Sequence, residues 1–200
     1  MRLHAIAVLL TGLLLLAGCA NQPEQSTVPL DWRDRSVQLQ ALRHWKASGK
    51  VALRNATQAE SASMVWAQSG DDTKLSLSGP MGLSATTVVS DGKYLEITKA
   101  GSTRRYDIST PEAIIEQTGW NLPLQALPHW LKGVPSPLQE PDTLELEAGR
   151  LKHLKQHGWT VRYDSYGTFG PYILPTKLQI ERADTRARLI IREWTIDSQK

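Results

Sequence analysis

The strongest constraint on the fold is an apolar/polar alternation of period two that recurs along most of the chain after Gly49. Val51 and Leu53 alternate with Lys50, Ala52 and Arg54. Met64 and Trp66 alternate with Ser63, Val65 and Ala67, and Leu75 and Leu77 with Lys74 and Ser76. Successive side chains of a strand point to opposite faces, so this pattern describes strands with one buried face. Thr87–Val89 and Tyr94–Ile97 extend the series across Ser90-Asp91-Gly92-Lys93, a hairpin signal of the Asp-Gly kind. Strands resume at 143–148, 151–156 and 159–163, the last two joined by His157-Gly158. A loop holding Gly167, Gly170, Pro171 and Pro175 is expected next, followed by strands at 177–182 and 188–196.

Helical segments interrupt this meander. Asp31 is placed to cap an amphipathic helix running to about Trp45, with Trp32, Leu39 and Leu42 available for one face. Thr110-Pro111-Glu112 opens a second helix that Gly119 stops, with proline at the first helical position. Leu127 to Gly133 reads as a short, proline-interrupted, apolar helix, and Pro135, Pro137 and Pro141 make a rigid connector behind it. The expected architecture is mostly β with a few helices (α+β): one antiparallel sheet of many strands with helices packed on one face. A sheet of that size curls. Helices across its concave face either fill it or leave an apolar cavity. The inward positions are Met64, Trp66, Leu75, Leu77, Val88, Leu95, Ile97, Ile180 and Ile190, and alternation by itself does not choose between cavity and solid core.

The amino terminus carries a different signal. Met1-Arg2 is followed by an apolar stretch from Ala5 to Ala17 and then by Leu16-Ala17-Gly18-Cys19. The run is too short to span a bilayer comfortably and reads as a signal peptide. Small residues before a cysteine match the bacterial lipobox, so residues 1–18 are expected to be a leader and Cys19 a lipidation site. Cys19 is the only cysteine of 200 residues, which excludes an internal disulfide framework and a multi-cysteine metal cluster. Ala20 and Asn21 follow it, with no acidic residue to favour the inner membrane; the outer membrane, facing the periplasm, is expected. Residues 19–30, polar and holding Pro23 and Pro29, read as anchor and flexible tether, and 31–200 as a single domain. With 23 basic against 20 acidic residues, the charge gives no argument for nucleic-acid binding.

One turn departs from ordinary loop chemistry. Ser78-Gly79-Pro80-Met81-Gly82-Leu83 lies between two strands, and its Pro and Gly residues place it at the surface, yet it carries Met81 and Leu83. A flexible thioether on a turn suits contact with variable apolar partners such as acyl chains.

Several of these features, in order, resemble the LolB family, the outer-membrane lipoprotein receptors of Gram-negative bacteria. They are the lipobox ending in Cys19, Leu75-Ser-Leu-Ser-Gly-Pro-Met-Gly-Leu-Ser84 and Pro111-Glu-Ala-Ile-Ile-Glu-Gln-Thr-Gly119. Leu122-Pro-Leu-Gln-Ala-Leu-Pro-His-Trp-Leu-Lys-Gly-Val-Pro135 and the ending Leu178-Gln-Ile…Leu189-Ile-Ile-Arg-Glu-Trp194 complete the set. The resemblance implies a strongly curved antiparallel sheet, a half-open barrel, covered by helices around an apolar cavity. It further implies acceptance of acylated lipoprotein cargo from a periplasmic carrier of the LolA kind and insertion into outer-membrane lipid. The candidate lining of that cavity is Met64, Trp66, Leu75, Leu77, Val88, Leu95, Leu127, Trp130 and Leu131. The family's projecting loop, with its exposed leucine, corresponds to Pro80, Met81, Gly82 and Leu83, Met81 standing at the leucine position.

An enzyme has little support in the sequence. There is no Gly-x-Ser-x-Gly elbow, His-Glu-x-x-His or glycine-rich phosphate loop. His153 and His157 are four apart but fall in a strand and turn, where that spacing does not make one metal-binding face. Asp31, Asp34, Asp71 and Asp72 read as exposed, unpaired cap and loop residues. The expectation is therefore no catalytic residue, no metal, no cofactor, no nucleic-acid partner and a monomer. The alternatives are a structural scaffold of an outer-membrane assembly or, less favoured, a lipid-anchored periplasmic hydrolase.

Overall fold

The computed structural model describes residues 31–56, 59–79, 85–108 and 123–196. The leader, Cys19 and the tether, the turn residues Pro80 to Leu83, and the helix expected over Thr110–Gly119 lie outside the described residues.

Among the described residues, eleven strands form one open antiparallel sheet. They are β1 (His44–Arg54), β2 (Ala59–Ser69), β3 (Asp72–Ser78), β4 (Thr86–Ser90), β5 (Tyr94–Lys99) and β6 (Ser102–Asp107). After these come β7 (Thr143–Glu147), β8 (Arg150–Gln156), β9 (Trp159–Phe169), β10 (Tyr172–Arg182) and β11 (Thr185–Ile196). Their order is β6-β5-β4-β3-β2-β1-β11-β10-β9-β8-β7. Two meanders are thus zipped together by β1 against β11, and the chain passes from β6 at one edge to β7 at the other. That connection has to travel the width of the sheet, and helix α2 (Leu127–Lys132) lies along it. Helix α1 (Trp32–Ala41) precedes β1.

The Asp31 carboxylate accepts the Asp34 amide at 2.9 Å and caps α1. The helix ends at Ala41, short of the expected Trp45, because Leu42 turns to extended backbone and the chain from His44 pairs on both sides, with β2 and β11. Two ladders outweigh one more helical turn. They carry Trp45 into the core, 2% exposed, against Trp66 and Trp194 at centroid distances of 6.3 and 5.2 Å. Gly49 sits opposite a bulge in β11, where the register skips Arg192, and a Cβ on it would stand 2.0 Å from the Ile190 carbonyl oxygen.

The expected loop around Gly167 and Pro175 is instead two long paired strands, turning tightly at Gly170-Pro171. Pro175 is tolerated because the β9–β10 register shifts beside it, and its carbonyl accepts the Trp194 indole N–H at 3.0 Å. Ile190 is 42% exposed and faces outward, while Leu189 and Ile191 are buried. Three consecutive apolar residues hide the phase of the strand, and the inward assignment of Ile190 is corrected.

Core residues of β1, β2, β8 to β11, α1 and α2 form one cluster; Leu95 and Ile108 form a smaller one with Val88, Ile97 and Tyr106 packed on it, and Leu124 packs against both. α2 is locked to the sheet by Gln156, which is fully buried. Its Oε1 accepts the Trp130 indole N–H at 2.8 Å and the Ser136 amide at 2.9 Å, while its Nε2 donates to the carbonyls of Ser136 and Gln139. The Tyr163 hydroxyl donates to the Trp130 carbonyl at 2.9 Å, and Gly133, at φ 82°, ends the helix.

Candidate functional site: an apolar cavity under the sheet

Register builds the site. Trp66 on β2 opposes Leu75 on β3, which opposes Val88 on β4, which opposes Ile97 on β5. An apolar row therefore crosses four strands on the face where Trp45 and Trp66 are buried. Trp66, Leu75, Val88 and Leu95 from the sheet and Leu127 from α2 line a cavity of about 520 Å³, with Trp45 at its wall. Volumes of roughly 300–1,000 Å³ are typical of pockets for small-molecule ligands. The cavity spans the ground between the two core clusters.

Five candidate positions, Trp66, Leu75, Val88, Leu95 and Leu127, thus line the cavity. The other four do not. Met64, Trp130 and Leu131 are buried in the core, where Trp130 is tied to Gln156, and Leu77 packs half-buried against that core. Helical spacing alone could not tell which side chains of α2 face the sheet. Pro80 to Leu83 and Cys19 lie outside the described residues; the ends that residues 80–84 join, Gly79 and Ala85, flank β3 and β4.

Polar groups that sequence reasoning passed over also face the cavity. His129 and Lys132 reach it from α2, and Gln68, Thr73 and Ser90 from the sheet. Lys132 is 3% exposed, and its ammonium donates to the Leu42 carbonyl at 2.8 Å. Burial, helped by Arg43, lowers its pKa to about 8. Burial, then Lys132 and Arg43, lowers that of His129 to about 4, and its buried Nδ1 has no hydrogen-bond partner among the described residues. Trp45 was missed because the cap and spacing of α1 extended the helix over it, although Trp45 and Ala47 do alternate with Lys46 and Ser48.

Arg43 and Asp71 form an exposed pair at 3.1 Å beside the cavity, so Asp71 is not the unpaired residue expected. His153 pairs with Glu145 at 3.6 Å, and His157, in a turn, packs on Trp130; the two make no joint site. Among the described residues no group of three or more His, Cys, Asp or Glu could hold a metal, and no helix is long and apolar enough to cross a membrane. A second recess of about 750 Å³ lies where the end of α1 meets the β9–β10 turn, between His44 and Tyr172. Its walls mix Arg43, His44 and turn backbone with Trp194 and Ile196, so the smaller, more apolar cavity is the better candidate.

The chain matches the model of the family described as "Outer membrane lipoprotein LolB" over residues 43–194. A protein named outer-membrane lipoprotein LolB from Chromohalobacter salexigens is 35% identical over 186 residues, spanning 91% of this chain and 86% of that one. Its namesake from Pseudomonas putida is 34% identical over 193 residues, 92% of each chain. Among solved structures, a LolA superfamily protein from Nitrosomonas europaea is similar with a TM-score of 0.53, over 86% of this chain and 96% of that one, at 8% identity. A DUF1329 family protein from Desulfovibrio piger reaches the same score over 83% and 90%, at 10% identity. These two likenesses speak for the fold alone. The family match and the identities, which run through nearly the whole chain, show that this protein belongs to the LolB family of outer-membrane lipoproteins.

Proposed function

We propose that the protein accepts acylated lipoproteins from a soluble periplasmic carrier of the LolA kind and inserts them into the inner leaflet of the outer membrane. The apolar cavity beneath β2 to β5, in a chain of this family, is the observation that carries the reading. Residues 1–18 are the leader, Cys19 the acylated anchor, 19–30 the tether and 31–200 the receiving body. Met81, with Pro80, Gly82 and Leu83, is the apolar finger that leads acyl chains into the bilayer. The protein acts by binding and release, without catalysis.

The energetics favour hand-over between apolar surfaces. Each buried CH₂ stabilises by about 0.8 kcal/mol, so one acyl chain of ordinary length contributes on the order of 10 kcal/mol. Escape through water is then far too slow, and direct transfer from one cavity to another avoids it. Direction needs only tighter binding by the acceptor, tenfold for each ~1.4 kcal/mol. The bilayer, which solvates the chains better still, draws the cargo onward.

The test is transfer of an acylated lipoprotein from its purified carrier to the chain carrying Cys19→Ala, followed by pull-down without membranes. Cargo moving onto the protein supports the acceptor reading. Cargo that stays on a carrier able to release it elsewhere refutes it and favours the scaffold. Met81→Glu is expected to accept cargo normally and fail to insert it; normal insertion into vesicles contradicts the finger.

A further inference from the structure

The cavity has a polar end. Beside the apolar row runs a second one, in which Trp45 on β1 opposes Gln68, Gln68 opposes Thr73, and Thr73 opposes Ser90. This row lies next to the turns at Gly70-Asp71 and Asp91-Gly92. At the other end of β3 and β4 Leu77 opposes Thr86, and from there the 79–85 connection leaves. Lys132 belongs to the polar end as well, since it bonds Leu42, just before β1 begins.

Gln68 is fully engaged: its Oε1 accepts the Trp66 indole N–H at 3.0 Å and the Thr73 hydroxyl at 2.7 Å, and its Nε2 donates to the Gly70 carbonyl at 3.0 Å. Two donors remain in surplus. The Trp45 indole N–H is buried and has no partner among the described residues. The Lys132 ammonium carries three hydrogens and meets the Leu42 carbonyl, and no carboxylate pairs with it among the described residues. A buried donor left without an acceptor is costly and rare, so an arriving acceptor is strongly favoured there.

We infer that Trp45 and Lys132 form a subsite for the ester carbonyls of an acylglycerol ligand, whose chains lie along Trp66, Leu75 and Val88 toward the 79–85 connection. The inference rests on the acceptor reading and adds an orientation to it. The two donors stand on different elements, β1 and α2, and a diacylglyceryl group offers two carbonyl acceptors on separate arms. Cargo held this way points its chain ends toward the Gly79 and Ala85 ends of β3 and β4.

The test uses the full chain carrying Cys19→Ala, so that no anchor competes for the cavity. Equilibrium competition compares a dioctanoylglyceryl-cysteinyl peptide with its dioctyl diether analogue, which has the same chains and lacks the ester carbonyls. The diester is expected to bind about tenfold or more tightly than the diether, the scale of a lost charge-assisted hydrogen bond. In Lys132→Met and in Trp45→Phe that ratio falls below about threefold. Equal binding of diester and diether to the unsubstituted site overturns the subsite while leaving the acceptor reading standing. Binding of neither refutes the acceptor reading itself. A ratio that persists in both variants overturns the assignment to these residues. Dioctanoyl phosphatidylcholine separates the sources of the ester: competition equal to the lipopeptide's means that any acylglycerol ester is read, and weaker competition means that the cysteinyl linkage is read too; both support ester recognition. Octanoate binding more tightly than the diester makes this a carboxylate site and overturns the proposal.

Discussion

Gln156→Met tests how α2 is held over the cavity. The substitution keeps the volume of the side chain and removes every hydrogen bond it makes. The Trp130 indole N–H and the Ser136 amide lose their acceptor; the Ser136 and Gln139 carbonyls lose their donor. Gln139 is exposed and its carbonyl can turn to water, but the other three groups are bonded where water does not reach. A buried polar group left unpaired costs about 1–3 kcal/mol. Three such groups set a loss of at least about 3 kcal/mol, a large part of the 5–15 kcal/mol that holds an ordinary domain together. The thermal midpoint should fall by about 6–12 °C, at two to four degrees per kcal/mol for a chain of this size. Urea unfolding followed by tryptophan fluorescence measures the loss, and an unchanged m-value shows that the folded state is still intact. A loss below about 1 kcal/mol refutes the reasoning, because it means that α2 and its connector are held by packing and not by this bracket.

The neutral imidazole of His129 gives a pH dependence. Unfolded histidine takes its proton near 6.5 and His129 only near 4, so between these values the unfolded state holds more protons. Its contribution to stability is whole above about 6.5 and is lost as the pH falls toward 4; His129→Gln should flatten the unfolding free energy over that window, and an unchanged slope contradicts the assignment. Gly49→Ala should cost at least about 2 kcal/mol and speed hydrogen exchange in β11, because the added carbon meets the Ile190 carbonyl at 2.0 Å. Unchanged stability would mean that the bulge yields freely.

The sheet was largely legible where a strand has one wet face. Met64 and Trp66, separated by the exposed Val65, announce β2, and Asp91-Gly92 announces the β4–β5 turn. The signal fails where the physics is not local. β6 is an edge strand of mostly exposed residues and has no apolar alternation to read. Trp45 obeys partners far along the chain, β11 above all, against a good helix start close at hand. Pro175 looks like a strand breaker until Trp194 supplies the use for its carbonyl. The site was half legible for the same reason. Trp66, Leu75 and Val88 share a face by simple counting, whereas Lys132 meets the cavity only because the β6–β7 connection crosses the sheet, and Trp45 only because β1 pairs with β2 and β11.

Val88 and Val89 offer the most direct test that the cavity receives acyl chains. Val88 lines it; its neighbour Val89 is 42% exposed on the opposite face of the same strand. A photoreactive side chain placed at each position in turn, with lipoprotein cargo delivered from its carrier, reads which face the chains occupy. The account predicts acyl adducts at position 88 and none above background at 89. Equal adducts at both positions, or adducts at 89 alone, would contradict it.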